Sequence, residues 1–335
     1  DFFDVEALAA AVVRAGVSLA AAADELAERS GLGRVLVGAL LLALATSLPE
    51  LLTDASATLA GAPDLAVADL FGASMANMGI LALCDIVHRG RVWPSVELGH
   101  ARVAAVAIAL TAGAGMSIAA GRAPELGWVG LDTGAIAAAY LAAAAWFHRT
   151  VHVGASRTHA PARELQVPTG WSHRGLPVPP LAASARRFGA AAAAMAVAAP
   201  VLALAAREVA AGTGVAQTAI GVGLLAVTTS LPELVASLAA VRMGAHDLAV
   251  GNLFGTNAAN MSLLVVLDAL YTRGPILAAV DDSQLLAVLG GILLMALALA
   301  AIVTGTETRV GRLEPDATVL LIVYVVLLVV IGAAS

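Results

Sequence analysis

The chain has 335 residues, 60% apolar and only 13% charged, with a formal net charge of −6. A soluble domain carries about 25% charged residues; here the apolar excess, at mean hydropathy +0.90, gathers into runs of about 20 residues, enough to cross roughly 30 Å of hydrocarbon. The chain therefore reads as a polytopic membrane protein with lipid around it and no feature for nucleic acid, and its one cysteine, Cys84, excludes an internal disulfide or a cysteine metal cluster.

In chain order, apolar runs and the charges between them predict ten spans. They lie near 5–26, 35–60, 65–87, 101–121, 126–147, 188–210, 216–241, 247–270, 284–304 and 316–334. The first carries Arg14 in its middle and closes on Asp24 and Glu25. The second holds "ATSLPELLTDA" (45–55), a proline and two acids inside an apolar run, and the third holds "LFGASMANM" (70–78). Between spans five and six lies a polar stretch, 148–187, rich in Arg, His and Pro, which reads as an irregular linker. After span six, "TTSLPELVASL" (228–238) and "LFGTNAANM" (253–261) repeat the two earlier blocks in spans seven and eight. No basic n-region followed by a cleavage site stands at the start, so no secretory signal is expected.

At a constant offset of 183, residues 38–85 match 221–268 at 25 of 48 positions without a gap. Five spans per half is an odd number, so the second copy enters the membrane upside down. The expected fold is all-α: ten transmembrane helices as two inverted five-helix repeats, 1–147 and 188–335, joined by the linker 148–187. Inverted repeats meeting at interrupted helices near the midplane are a transporter construction. Orientation follows from arginine, because cytoplasmic loops are enriched in basic residues and the chain has no lysine. Leaving Arg14 aside, fourteen arginines fall on one side and three (Arg122, Arg207, Arg273) on the other. This predicts both termini outside, the linker in the cytoplasm, and residence in a plasma membrane.

Pro49 and Pro232 cannot donate to the helical ladder, which is expected to release the carbonyls of Ala45 and Thr228. Beside each proline stand two hydroxyls and one carboxylate: Thr46, Ser47 and Glu50; Thr229, Ser230 and Glu233. Oxygen-only ligation of this kind suits a hard cation, and no soft ligand lies in either stretch. A charge at the bilayer centre costs about 2.5–3.5 kcal/mol on insertion scales, so two such glutamates are hard to explain as packing. Asn77 and Asn260 add neutral oxygens on the next spans, and Thr256 a hydroxyl that Ala73 lacks. Gly72 and Gly255 permit close helix approach. Asp54 stands where the second copy has Ser237, and Asp69 where it has Asn252. Asp54 reads as a water-facing pathway residue or a proton carrier. Asp69 reads as a cap at the start of span three, or as a second group of that kind.

The two "TSLPEL" breaks, each followed by a Gly/Asn-rich segment on the next span, resemble the alpha-repeats of the sodium/calcium exchanger family, within the cation/calcium antiporter superfamily. The resemblance covers both repeats. It implies ten helices with external termini, alternating access by sliding of spans one and six, and one set of side chains that binds either Na⁺ or Ca²⁺. By position, that set is Glu50, Asn77, Glu233 and Asn260. Thr46, Ser47, Thr229, Ser230 and Thr256 match auxiliary ligands, and Ala43 and Ala226 match backbone carbonyl ligands. The first copy departs from the pattern at Asp69, Ala73, Ser74 and Asp54. The function expected is Ca²⁺/Na⁺ antiport without a cofactor, an enzymatic step or an obligate protein partner. Proton-coupled exchange, and a cation-binding protein that does not transport, stay open beside it.

Overall fold

The computed structural model describes residues 5–88, 92–154, 179–213, 229–304 and 315–334. It is an all-helical multi-pass fold. Its longer helices among the described residues are α1 (Val5–Ser30), α2 (Gly33–Leu59), α3 (Pro63–Val87), α4 (Gly99–Ala120), α5 (Leu131–Gly154), α6 (Leu181–Thr213), α7 (Leu231–Arg242), α8 (His246–Leu270), α9 (Gln284–Thr304) and α10 (Pro315–Ala334). Eight of them are long and apolar enough to cross a bilayer: all but α5 and α7. α5 has the length, but Asp132, His148 and Arg149 interrupt its apolar run. Of the span expected at 216–241, only residues 229–241 are described, and they hold most of α7.

Three expectations change. Residues 126–130 are not helical: Glu125–Leu126 pairs antiparallel with Val129–Gly130, turned by Gly127 at φ +72. The left-handed turn at Gly127 bends the chain back before Leu131 can start α5. Second, Pro49 does not end its helix. Ala43–Leu59 is continuous with Pro49 inside it, and the irregularity falls upstream, where Val37–Leu42 winds as a π-helix. Widened turns of this kind re-register the ladder and cluster at functional sites. Third, Asp69 is no cap: α3 starts at Pro63, with Pro in its first turn, and Asp69 lies well inside it. α5 and α6 also reach into the interval read as linker, to Gly154 and from Leu181.

The turns after the two "TSLPEL" helices are built alike. Gly61 (φ +82) and Gly244 (φ +80) take left-handed conformations. The following residues reach back to the helix, Ala62 N–H to Ala57 O at 3.0 Å and Ala245 N–H to Ala240 O at 2.9 Å. This is the glycine-terminated helix end in which otherwise orphaned carbonyls are satisfied. Each next helix then ties down a backbone from the other half. Asp64 Oδ1 accepts from Asp281 N at 2.7 Å, and Asp247 Oδ1 accepts from Glu97 N at 2.8 Å. Asp85 and Asp268, at the ends of α3 and α8, anchor loop backbone at Val92 N (3.1 Å) and Ile276 N (2.7 Å).

α8 is the hub, packed on α2, α3, α4, α5 and α7. Its approach to α2 is backbone to backbone. A Cβ on Gly255 would fall 2.3 Å from Ala39 O, and one on Gly38 2.7 Å from Leu248 O. Gly72 meets nothing within 4 Å among the described residues, so the close approach expected there is absent. Between α1 and α6, Val12 and Ala15 pack with Met195, Ala199 and Leu202 in a cluster beside the main core, which Leu19, Ala20 and Ala23 of α1 and Ala191 and Ala192 of α6 join. The two helices are tied at one end, where Glu25 accepts from Arg187 Nη1 at 2.7 Å and Ser184 Oγ at 2.8 Å. The outer face of α10 leaves Val325, Val326 and Val329 exposed, as lipid-facing residues are.

Candidate functional site

The π-turn and Pro49 set how α2 meets α8. With no N–H on Pro49, the carbonyl one turn back loses its helical donor. Nearby, the Thr46 hydroxyl turns inward: Oγ1 donates to Ala43 O at 3.1 Å and lies 3.3 Å from Asn252 Oδ1 and 3.5 Å from Thr256 Oγ1. In the second half, Pro232 sits in the first turn of α7, where its missing N–H would have had no intrahelical partner anyway. Ser230 precedes that helix, and Glu233 lies in its first turn, where a helix favours negative charge.

Glu50, Asn77, Glu233 and Asn260 are all buried, at most 2% exposed. Asn260 Nδ2 donates to Glu50 Oε2 at 3.1 Å, joining α8 to α2. Asn77 Nδ2 donates to Asn257 Oδ1 at 2.8 Å, and Asn257 Nδ2 donates to Ser74 O at 3.1 Å, joining α3 to α8. Glu50 feels the charges of Glu233, Asp69 and Asp54. The Thr46 hydroxyl lies within reach of Glu233, yet neither Glu233 oxygen meets a well-formed hydrogen bond among the described residues. Thr46, Ser47, Ser230 and Thr256 are buried as well, and Thr229 is half-buried. Ala226 lies outside the described residues.

Six buried oxygens here lack a donor among the described residues: Glu50 Oε1, Glu233 Oε1 and Oε2, Asn77 Oδ1, Asn260 Oδ1 and Ser47 Oγ. A buried polar atom without a partner costs about 1–3 kcal/mol, more when charged. Five of the six can only accept, and each of the two amide nitrogens already makes one bond to protein. Acceptors without donors suit a cation rather than an anion. A cleft lined by Pro49, Glu50, Thr53, Thr229 and the α6 stretch around Pro200 reaches this cluster.

The structure thus brings residues of the expected set together on α2, α3, α7 and α8. Three polar partners are additional. Asn257 bridges Asn77 and Ser74, and Asn252 Nδ2 donates to Ser237 Oγ at 3.0 Å. Their signal in the sequence is the repeat itself: Asn257 falls on Ser74, Asn252 on Asp69 and Ser237 on Asp54. Asp54 also feels the charge of Asp69.

An all-helical multi-pass membrane protein with a buried, donor-poor oxygen cluster belongs among proteins that handle ions. The profile described as "Sodium/calcium exchanger protein" matches residues 7–147 and 185–332, and the chain belongs to that family. It is similar to the inner membrane protein YrbG of Escherichia coli, 42% identical over 62 residues, which is 18% of this chain and 19% of that protein. It is also similar to the sodium/calcium exchanger MaX1 of Methanosarcina acetivorans, 45% identical over 58 residues, or 17% of each chain. The matched stretches therefore span about a fifth of these relatives' own length. Among solved structures, the sodium-calcium exchanger NCX_Mj soaked with 10 mM Na⁺ and zero Ca²⁺ shares the fold. It superposes with a TM-score of 0.68 at 19% identity over 95% of each chain.

Proposed function

We propose that this protein is a secondary cation antiporter that exchanges Ca²⁺ for Na⁺ by alternating access. The observation that carries the reading is the set of buried acceptor oxygens on Glu50, Asn77, Glu233 and Asn260, at equivalent positions of the two repeats. Thr46, Ser47, Thr229, Ser230 and Thr256 complete the ligand set, with the carbonyls of Ala43 and Ala226. Family membership and the names of the relatives support the same ions. Ca²⁺ or Na⁺ neutralises the two glutamates. Empty, the site holds bare carboxylates that hydrocarbon opposes, so crossing without cargo is disfavoured.

The architecture we infer is ten spans in two inverted repeats of five, with both termini outside, the linker cytoplasmic and the protein in a plasma membrane. The reciprocal bonds Asp64–Asp281 and Asp247–Glu97 support the repeat. The α1/α6 pair is the element that slides, as the family resemblance implies; part of its apolar contact, Val12 and Ala15 against Met195, Ala199 and Leu202, lies in a cluster outside the main core. The test is Ca²⁺ uptake into proteoliposomes under an outward Na⁺ gradient. Uptake that needs Na⁺ and is lost in Glu50→Gln and Glu233→Gln supports the reading; no Na⁺-driven uptake by the wild type refutes it.

A further inference from the structure

Only Gly31 and Leu32 separate α1 from α2, and Gly31 and Gly33 both take left-handed conformations, at φ +71 and +76. Across this turn Asp24 and Glu28 stand one helical turn apart on the same face of α1. Both meet Arg34 in the first turn of α2. Its Nε donates to Asp24 Oδ1 at 2.7 Å, and its Nη2 donates to Glu28 Oε1. The Asp24 side chain is 7% exposed and that of Arg34 20%. A fully exposed ion pair is worth little, but removing one partner of a pair held this far from water leaves the other charge without a counter-ion, which costs far more.

The neighbouring acid on α1 has a different partner. Glu25 binds Arg187 and Ser184 of α6, and Arg29 Nε donates to Pro179 O just before that helix. Glu25 therefore ties α1 to α6, whereas Asp24 and Glu28 tie α1 to α2. All these links stand at one end of the bundle. Arg34 lies roughly 24 Å before Glu50 along α2, at about 1.5 Å per residue. The cleft that reaches Glu50 is lined by Thr53 of α2 and by Ala199, Pro200 and Ala203 of α6, on the side of the glutamate away from Arg34.

We propose that Asp24, Glu28 and Arg34 form an ionic latch that holds the pathway shut at the α1–α2 end while the cleft beyond Glu50 is open. Access from the latched end requires the α1/α6 pair to leave Arg34, pivoting on Gly31 and Gly33. An equilibrium shifts only by interactions that differ between its states; the Arg34 contacts exist in one access state and break in the other. The Glu25 tie travels with the pair and favours neither. The latch rests on the alternating-access reading of the glutamate site, though not on the identity of the ion.

Labelling with a water-soluble maleimide, in detergent and without Ca²⁺, tests this. Two proteins carry one cysteine each after Cys84→Ala: Ala27→Cys, buried on the latch face of α1, and Thr53→Cys in the cleft. Adding Arg34→Gln should speed labelling at position 27 by about tenfold and slow it at position 53, because population gained by one access state is lost by the other. The reversed pair, Asp24→Arg with Arg34→Asp, should restore both rates, and Glu25→Gln should change neither. Faster labelling at both positions, unchanged labelling at both, or the same response to Glu25→Gln would each overturn the latch. Ca²⁺ flux of the wild type is read separately. Reciprocal labelling in a protein that moves no Ca²⁺ supports the latch and refutes the Ca²⁺/Na⁺ assignment.

Discussion

The two copies of the repeat put the same residues to different uses. In the second, Pro232 opens α7 at a place where a proline costs nothing, and α8 carries Asn252, Thr256, Asn257 and Asn260 in one buried run. In the first, Pro49 lies inside a continuous helix behind a π-turn, and α3 offers Asp69, Ala73, Ser74 and Asn77 at the matching places. Glu50 has an amide donor in Asn260, whereas Glu233 meets no well-formed bond among the described residues. One copy keeps a neutral, complete polar set; the other has exchanged part of it for acids. Equivalence in sequence therefore fixes where a side chain sits, while the partner it meets there depends on the opposite copy.

That comparison can be broken first at its glycines. Gly255→Ala would drive a Cβ to 2.3 Å from Ala39 O, a backbone atom that cannot rotate aside. It should destabilise the fold by at least about 1–3 kcal/mol, read as a lowered melting temperature in detergent. Gly72→Ala, at the equivalent position, meets no atom within 4 Å among the described residues. It should be neutral, or stabilising by up to about 1 kcal/mol, from helix propensity. Equal losses at both positions would mean that α3 is packed as closely as α8.

The Asn257/Ser74 pair sharpens the comparison next. Asn257→Ala removes both bonds of the bridge and should cost about 1–3 kcal/mol, with weaker Ca²⁺ binding because Asn77 loses its anchor. Ser74→Ala deletes a hydroxyl that donates only to Leu70 O, and it keeps the carbonyl that Asn257 uses. Its effect should stay below about 1 kcal/mol. Thermal shift and calorimetry on the two variants check the order.

How much of this was legible beforehand depends on the kind of signal. Span 284–304 and spans near α3, α4, α8 and α10 were readable because Pro63, Pro315, Asp and Gly bound clean apolar runs. The ribbon at 125–130 was hidden by its own apolar residues, Leu126 and Trp128, which extend the hydropathy of α5 backwards. The π-turn leaves no pattern in side-chain type, since it is a property of the hydrogen bonds within α2's own backbone. Glu50, Glu233 and the asparagines stood out because acids and amides are rare in apolar runs and here recur at a fixed offset. Asp69 was misread as a cap because its span looked as if it began near residue 65, whereas Pro63 already opens α3.

The smallest expected difference lies at the helix starts. Asp247 accepts from Glu97 N and from the buried His100 ring at 3.0 Å, whereas Asp64 holds the exposed Asp281 N alone. Asp247→Ala should therefore cost about 1–2 kcal/mol and Asp64→Ala under about 0.5 kcal/mol, as read by thermal unfolding.

The central claim, one cation held between the two copies, is tested most directly by calorimetric Ca²⁺ titration of Glu50→Gln, Glu233→Gln and the double variant. Each single change should weaken binding by about 2–5 kcal/mol, and the double should add little, because groups that share one ligand are not additive. A single variant that binds Ca²⁺ as tightly as the wild type, or losses that simply add, would contradict a site shared between the two halves.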